Sequence, residues 1–489
     1  MKLTLKGHDY RYAAEQMMLT LFPGERPGVG ESELTLSLFR GAVWLTARAD
    51  LRWEGGSYSA VRRARVSELT GGLADDRVCQ RILKLAFYDA GTRALGREPP
   101  WGALTGVRPV KIPAKALERG ATPAEAEALL RDTYRVSPLR RRLAMDCAAE
   151  SVAARRSLGG DQVSLYVGIP FCPSRCVYCS FISAAVDKCL PLVEPFTAAL
   201  KREIEAAGAL LRETGRTVRT VYVGGGTPTT LSAPQLEEVL SALKGCLPLE
   251  ACSEFTVEAG RPDTITPEKL AVLAGHGVDR ISVNPQSMED AVLVRMGRPH
   301  TGADIRRAYE TVRRAGRFAV NMDLIAGLPG DSPAGFARSL DAVLALGPEN
   351  VTVHTLALKK GARLREEEDA LPPAEQVAAM LDGAWAALRE RGYLPYYLYR
   401  QKYMSGSFEN VGWAKPGYVS LYNIAMMEEL HTILALGGGG VTKLVWPEGG
   451  RIERIANPKY PQEYLRDIEK IVREKVALAP FLRETKGVL

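Results

Sequence analysis

Long apolar runs are missing from this chain. No stretch of its 489 residues is hydrophobic over the roughly 20 positions that a membrane helix needs, and the opening Met1-Lys-Leu-Thr-Leu-Lys-Gly-His8 has no apolar core of a signal peptide. Dense basic runs are missing too. The formal net charge of +7 is spread thinly, which argues against a nucleic-acid partner while leaving room for an anionic ligand. The densest patch, Arg140-Arg141-Arg142, reads as a solvated helix face. Histidine is scarce, with only His8, His276, His300, His354 and His431. The eight cysteines make no disulfide framework in so long a chain, and neither internal repeats nor low-complexity linkers are visible. What remains is the composition of a globular protein, 46% hydrophobic and 25% charged. Its length predicts two or three domains, and the expected setting is the reducing cytoplasm, with no membrane association.

The chain divides into three regions. Residues 1–158 read as an α+β domain whose role the sequence does not disclose. Alternating runs at Glu33–Phe39, Ala42–Arg48 and Tyr58–Arg62 predict an antiparallel meander, and Asp75–Leu95 has helical spacing with Gly96 as its stop. Residues 159–370 alternate short β-rich runs with helical ones, the pattern of right-handed βαβ units on a parallel sheet. Six strands are expected, at Val163–Ile169, Thr220–Val223, Glu254–Glu258, Arg280–Asn284, Ala319–Ile325 and Asn350–Leu356. They predict an α/β fold built as an open, partial (β/α)6 barrel, with ligands gathered at the carboxyl ends of the strands. Residues 371–489 form a small α+β region, opening with an amphipathic helix at Pro373–Arg391 and expected to pack on the barrel and cover its substrate.

Three thiols carry the chemistry. Cys172, Cys176 and Cys179 stand in Tyr166-Val-Gly-Ile-Pro-Phe-Cys-Pro-Ser-Arg-Cys-Val-Tyr-Cys-Ser-Phe181, spaced C-x3-C-x2-C just after a strand. Such a loop can ligate three irons of a cubane [4Fe-4S] cluster and leave the fourth open to a small molecule. A structural zinc site closes with four ligands, and here the next cysteine, Cys189, is ten residues away with no histidine nearby. One strand later comes Gly224-Gly225-Gly226-Thr227-Pro228, where absent side chains let backbone groups approach a ligand.

This combination resembles the radical S-adenosylmethionine (SAM) enzymes, in which SAM chelates the open iron. Gly102-Ala-Leu-Thr-Gly-Val-Arg-Pro109, Val257-Glu-Ala-Gly-Arg-Pro-Asp-Thr264, Asn284-Pro-Gln-Ser287 and Tyr396-Tyr-Leu-Tyr-Arg-Gln-Lys402 narrow the likeness. They resemble the oxygen-independent coproporphyrinogen III oxidases, or coproporphyrinogen dehydrogenases, in their HemZ branch. The resemblance implies that Tyr166, Gly225 and Glu258 contact the cluster-bound SAM. It places Tyr178, Gly226, Thr227, Gln286, Arg298, Asp323 and Ala357 around a second SAM, and gives catalytic importance to Tyr166, Glu258 and Asp323. Carboxylates there would accept bonds from ribose hydroxyls, and Arg298 would clamp a methionine carboxylate. Arg400 and Lys402, among tyrosines, are candidates for a tetracarboxylate tetrapyrrole.

The implied reaction begins with one electron from a small donor protein such as a flavodoxin or ferredoxin. SAM is cleaved to methionine and a 5′-deoxyadenosyl radical, which takes hydrogen from the β-carbon of a propionate. Loss of CO2 and one further electron leaves a vinyl group, and two such events convert coproporphyrinogen III to protoporphyrinogen IX in anaerobic heme biosynthesis. The default expectation is a monomer. One feature departs from the family's decarboxylases: Ser180-Phe181 follows Cys179 where they tend to carry a further cysteine. That ending is similar to relatives that act as heme chaperones or that open or methylate heme. A chaperone needs an axial ligand, and His354, near the sixth strand end, is the best-placed histidine.

Overall fold

The computed structural model describes residues 1–179, 184–316, 318–357, 364, 371–401, 408–446 and 451–487. Met1–Met145 makes up the first of two compact units, and nearly all that follows makes up the second.

In the first unit, strands β1 (Lys2–Lys6), β2 (Glu33–Arg40), β3 (Trp44–Trp53) and β4 (Gly56–Arg65) form one sheet in that order. Period-two alternation turns Leu34, Leu36, Leu45, Ala47, Ala49 and Leu51 to one buried face. The helices Arg11–Leu21 and Leu73–Leu95 cover that face with Met17, Met18, Phe22 and Phe87. The longer helix stops at Gly96 in the left-handed region (φ 63°), as its sequence position predicts. β2 to β4 are the expected meander, while β1 adds a parallel edge that the sequence reading missed. The arginine run is a correction. Arg140 is only 3% exposed. Arg141 donates to Val136 O at 2.8 Å and pairs with Glu127 at 3.0 Å, so two of the three stems turn inward and only Arg142 is solvated.

The second unit holds strands β5 (Gln162–Ile169), β6 (Phe171–Cys172), β7 (Ala184–Ala185), β8 (Thr217–Gly225), β9 (Glu254–Glu258), β10 (Arg280–Ser282), β11 (Ala319–Ala326) and β12 (Asn350–Thr355). It continues with β13 (Leu394–Arg400), β14 (Glu409–Ala414), β15 (Ile433–Gly437), β16 (Val441–Val445) and β17 (Ile452–Ala456). All but the short β6–β7 pair belong to one eleven-stranded sheet, ordered β13-β14-β12-β11-β10-β9-β8-β5-β15-β16-β17. The six expected strands run parallel from β5 to β12. A seventh parallel strand, β15, flanks β5 and comes from the last sixty residues of the chain.

Parallel neighbours need crossover helices, and this chain starts them with hydroxyl caps. Ser232, Thr266, Thr301 and Ser332 each accept a bond from the third residue of the following helix, at Ala233–Cys246, Pro267–Gly275, Gly302–Ala315 and Pro333–Leu346. Each cap contributes about 1 kcal/mol. Along β11, Val320, Met322 and Leu324 are wholly buried while Asn321 and Asp323 are only partly so, which assigns the polar set to the barrel interior. Buried polar groups line the amino-terminal ends of the strands. His431 lies 2.7 Å from Ser164 Oγ, and burial pushes its pKa down to about 3. Glu254 caps the helix Leu421–Glu428 through Ser420 Oγ at 2.8 Å and Leu421 N at 2.6 Å.

Candidate active site at the carboxyl ends of the parallel strands

β5 delivers the cysteine loop. Its final Gly168-Ile169-Pro170 leads to Cys172 in β6, and the peptide NH of Cys179 closes a turn on Cys176 O at 3.2 Å. Val177 N bonds to Met296 O at 3.1 Å, which ties the loop to the far side of the sheet. None of the three is in a disulfide, and all are partly buried. Cys172 Sγ lies 3.5 Å from Thr227 Oγ1, and Arg261 aims Nη1 at Ser174 Oγ (3.0 Å) and Cys176 Sγ (4.0 Å).

The glycine turn after β8 locks against this loop. Gly226 N donates to Ile169 O at 2.8 Å and Thr227 N to Phe171 O at 2.7 Å. A Cβ on Gly226 would collide with the Phe171 carbonyl, and Gly225 adopts φ 109°, so both positions require glycine for backbone reasons.

Behind the turn stand three tyrosines in a row. The Tyr166 and Tyr222 rings stack at 6.3 Å between centroids, and those of Tyr222 and Tyr422 at 4.5 Å. Tyr222 donates its hydroxyl to Glu258 Oε1 at 2.5 Å. Burial pushes the Glu258 carboxyl up to about 7, and the nearby Asp323 adds to the shift, against the opposing bond from Tyr222. Across the interior, Asp323 accepts from Asn321 Nδ2 at 2.7 Å, and its Oδ2 is 3.7 Å from His354 Nε2. Burial alone would raise its pKa, but His354, together with bonds from Asn321 and Thr352, holds the carboxyl below its ordinary range. Glu258 and Asp323 therefore face one interior with opposite protonation tendencies.

Gln286 and Arg298 complete the rim. Gln286 takes φ 68° to bridge β11, its NH bonding to Asp323 O at 2.8 Å and its carbonyl accepting from Ile325 N at 2.9 Å. Arg298 is 3% exposed and spends its terminal nitrogens on the protein: Tyr178 OH at 3.1 Å, Gly260 O at 2.9 Å and Asn284 O at 3.0 Å. Its Nε is buried without a partner. Both ring nitrogens of His300 are buried and unpartnered as well. Burial, then the cations Arg298 and Arg261, press its pKa to about 4.

The sequence candidates thus gather in one place, with exceptions. Ala357 follows β12 at the same end and is partly buried. Arg400 is 6% exposed and registers opposite the equally buried Glu409 in β14, a position inside the sheet rather than on an open wall. Lys402 lies outside the described residues. Tyr222, Tyr422, Asn321, Arg261 and His300 went unnoticed. Tyr222 had a local signal, sharing with Tyr166 the fourth-from-last position of its strand, and Arg261 lay inside the Val257–Thr264 run with no role assigned to it. A cavity of about 550 Å3 opens at the amino-terminal ends of the strands, beside Asp279, Arg280, Arg313 and Glu349. Its arginines are already engaged, Arg313 by Glu349 at 2.9 Å and Arg280 by Asn350 Oδ1 at 2.5 Å.

The donor set fits a cubane cluster, which asks for one thiolate on each of three irons. Among the described residues no three His, Cys, Asp or Glu side chains converge on a single point, as a mononuclear zinc site would demand. Among those residues, too, no helix is long and apolar enough to cross a membrane.

Comparison with known proteins agrees with this chemistry. The family model of the radical SAM superfamily matches residues 166–343. The oxygen-independent coproporphyrinogen-III oxidase-like protein HemZ of Bacillus subtilis (strain 168) is 41% identical over 77% of this chain and 76% of its own length. The heme chaperone HemW of the same organism is 30% identical over 66% of this chain and 84% of its own. The solved structure of the coproporphyrinogen III oxidase HemN from Escherichia coli, a radical SAM enzyme, shares the fold with a TM-score of 0.52 over 65% of this chain and 71% of its own, at 22% identity. The chain belongs to the radical SAM superfamily and, within it, to the family of the oxygen-independent coproporphyrinogen-III oxidase-like protein HemZ.

Proposed function

We propose that this radical SAM protein oxidatively decarboxylates two propionates of coproporphyrinogen III to vinyl groups. The observation that carries the reading is the juxtaposition at the carboxyl ends of the strands: an open three-thiol loop, a glycine turn pressed against it, and two interior carboxylates behind a tyrosine stack. When bound, the cluster and SAM supply one electron and a radical able to take hydrogen from an unactivated carbon. Cys172, Cys176 and Cys179 hold the cluster. Tyr166, Gly225 and Glu258 border the SAM that completes it. The unpartnered Arg298 Nε, with Tyr178, Gly226, Thr227, Gln286, Asp323 and Ala357, borders the second ligand position. The stacked rings of Tyr166, Tyr222 and Tyr422 form a flat wall that keeps water from the interior.

Glu258 gives this reading a pH signature. Its pKa of about 7, against an ordinary 4.5, leaves it largely protonated below neutrality. The folded state holds a proton there that the unfolded chain loses, so this group costs stability as pH rises from 4.5 toward 7. Ribose hydroxyls donate better to the ionised form, so SAM should bind roughly tenfold more tightly at pH 8 than at pH 6. Equilibrium dialysis on cluster-loaded protein measures this, and Glu258→Gln should flatten the profile. A flat profile in the unmodified protein would take Glu258 out of the ligand's reach.

The likeness to heme chaperones, together with the half-buried His354 beside Asp323, favours heme binding as the second reading. One anaerobic experiment separates the two. Reconstituted protein is given excess SAM, a reductant and coproporphyrinogen III, and the tetrapyrroles are weighed after oxidation. A product lighter by two formic acid equivalents, with methionine and 5′-deoxyadenosine alongside, is the expected result. Cleaved SAM with unchanged porphyrin sinks the decarboxylation reading. A heme Soret band that shifts in His354→Ala would then support the chaperone.

A further inference from the structure

Arg261 stands at the exit of β9, three residues beyond Glu258, inside the run Val257–Thr264, where the sequence assigned it no role of its own. Its side chain is only 5% exposed. One part of the guanidinium is held by Asp263, with Nε 3.2 Å from Oδ1 and Nη2 3.4 Å from Oδ2. The remaining nitrogen, Nη1, is directed into the loop between the first two site cysteines, 3.0 Å from Ser174 Oγ and 4.0 Å from Cys176 Sγ. The backbone fixes this aim. Arg261 O accepts from both Thr264 N (3.1 Å) and Thr264 Oγ1 (2.8 Å), and the preceding Gly260 O is gripped by Arg298. A solvated surface arginine would have neither the burial nor the double tether.

We propose that Arg261 is a positioning residue that sets the reduction potential of the iron–sulfur cluster through its contact with the Cys176 sulfur. The inference rests on the proposed cluster ligation by Cys172, Cys176 and Cys179. The physical reason is electrostatic. One-electron reduction adds negative charge that spreads onto the ligand sulfurs, and a buried cation with an N–H directed at one of them favours the reduced state. Asp263 tempers the cation without cancelling it, since its carboxylate is 39% exposed and screened by water while Arg261 is not. Lysine could not substitute fully, because a single ammonium cannot engage Asp263 along one edge and the cysteine loop along another.

The test is an EPR-monitored redox titration of anaerobically reconstituted full-length protein without SAM, alongside Arg261→Met and Arg261→Lys, with iron and sulfide counted per chain. In Arg261→Met the ratio of reduced to oxidised cluster at a fixed applied potential should fall about tenfold, equivalent to a potential about 59 mV lower for a one-electron couple. Arg261→Lys should fall between the two. Equal midpoints in Arg261→Met and the unmodified protein, at equal iron content, overturn the proposal. If the methionine variant assembles no cluster, Arg261→Lys decides, and a midpoint equal to that of the unmodified protein overturns it. Failure of the unmodified protein to take up a cluster would instead strike the underlying assignment of the three cysteines.

Discussion

Cys176→Ala is expected to keep the fold and lose the chemistry. Iron bound after anaerobic reconstitution should collapse, and SAM cleavage should fall by on the order of a thousandfold or more, equivalent to about 4 kcal/mol at the transition state. The loss is large because a cubane needs each thiolate on its own iron and the loop has no spare donor of the same kind. Ser174 and Tyr178 are the hydroxyls between the cysteines, and a neutral hydroxyl is a poor substitute for a soft thiolate. The fold should be indifferent. Cys176 sits partly exposed on a loop whose anchors are backbone bonds, Val177 N to Met296 O and Cys179 N to Cys176 O, and an alanine leaves those in place. Urea midpoints of the two metal-free proteins should therefore agree to within about 0.5 kcal/mol. Cys147 offers the contrast. It is 1% exposed, and burial pushes its thiol pKa well up, so it is neither accessible nor disposed to ionise. Cys147→Ala should leave iron content unchanged and cost stability through its cavity instead. If Cys176→Ala retains a full complement of iron, the triplet is not the cluster site.

Most of the barrel was legible because parallel strands announce themselves locally. Buried on both faces, they are short apolar runs bounded by helical segments, and those from Gln162–Ile169 to Asn350–Thr355 lie within three residues of their expected limits. What escaped depended on distance in sequence. Ile433-Leu-Ala-Leu-Gly437 is a strand of only five residues, and nothing near it says that its neighbour is β5, more than 260 residues earlier. A run of four glycines, Gly437–Gly440, ends it. The run is a packing device, for Gly438 N bonds to Gly168 O at 3.0 Å and a side chain on Gly168 would collide with Gly438. The setting of Arg400 was hidden for the same reason. A cation among tyrosines resembles a carboxylate receptor until strand pairing puts Glu409 opposite it. The site residues found by spacing were those on the cysteine loop and strand ends. Those missed, Arg261 and His300, owe their interest to burial and orphaned or shared nitrogens, which a linear pattern does not encode.

The seventh strand leads to the second large effect: Lys475→Met should destabilise the second unit by about 3–5 kcal/mol. Lys475, 4% exposed, donates to Ala435 O in β15 at 2.6 Å and lies 3.1 Å from Glu203 Oε1. Glu203 is wholly buried in the helix Val186–Thr214 and accepts from Gly437 N at 2.8 Å, Asn457 Nδ2 at 2.9 Å and Tyr464 OH at 2.6 Å. One carboxylate thus fastens a barrel helix to β15, to the exit of β17 and to the last helices. Without the ammonium, its charge stays desolvated with only neutral donors around it, and the cost comes from that stranded charge rather than from the lost contact. Adding Glu203→Leu should therefore recover part of the loss, a coupling that a double-mutant cycle in urea would read. The consequence extends to the site. β15 braces β5 along five registered pairs ending at Gly437 and Gly168, two residues before the turn into Phe171 and Cys172. A loosened β15 should lower cluster retention in Lys475→Met even though no iron ligand has been touched. If the urea midpoint of Lys475→Met matches that of the unmodified protein, the tie between this strand and the barrel lies in the apolar contacts of Ile433, Leu434 and Leu436, and the ion pair is dispensable.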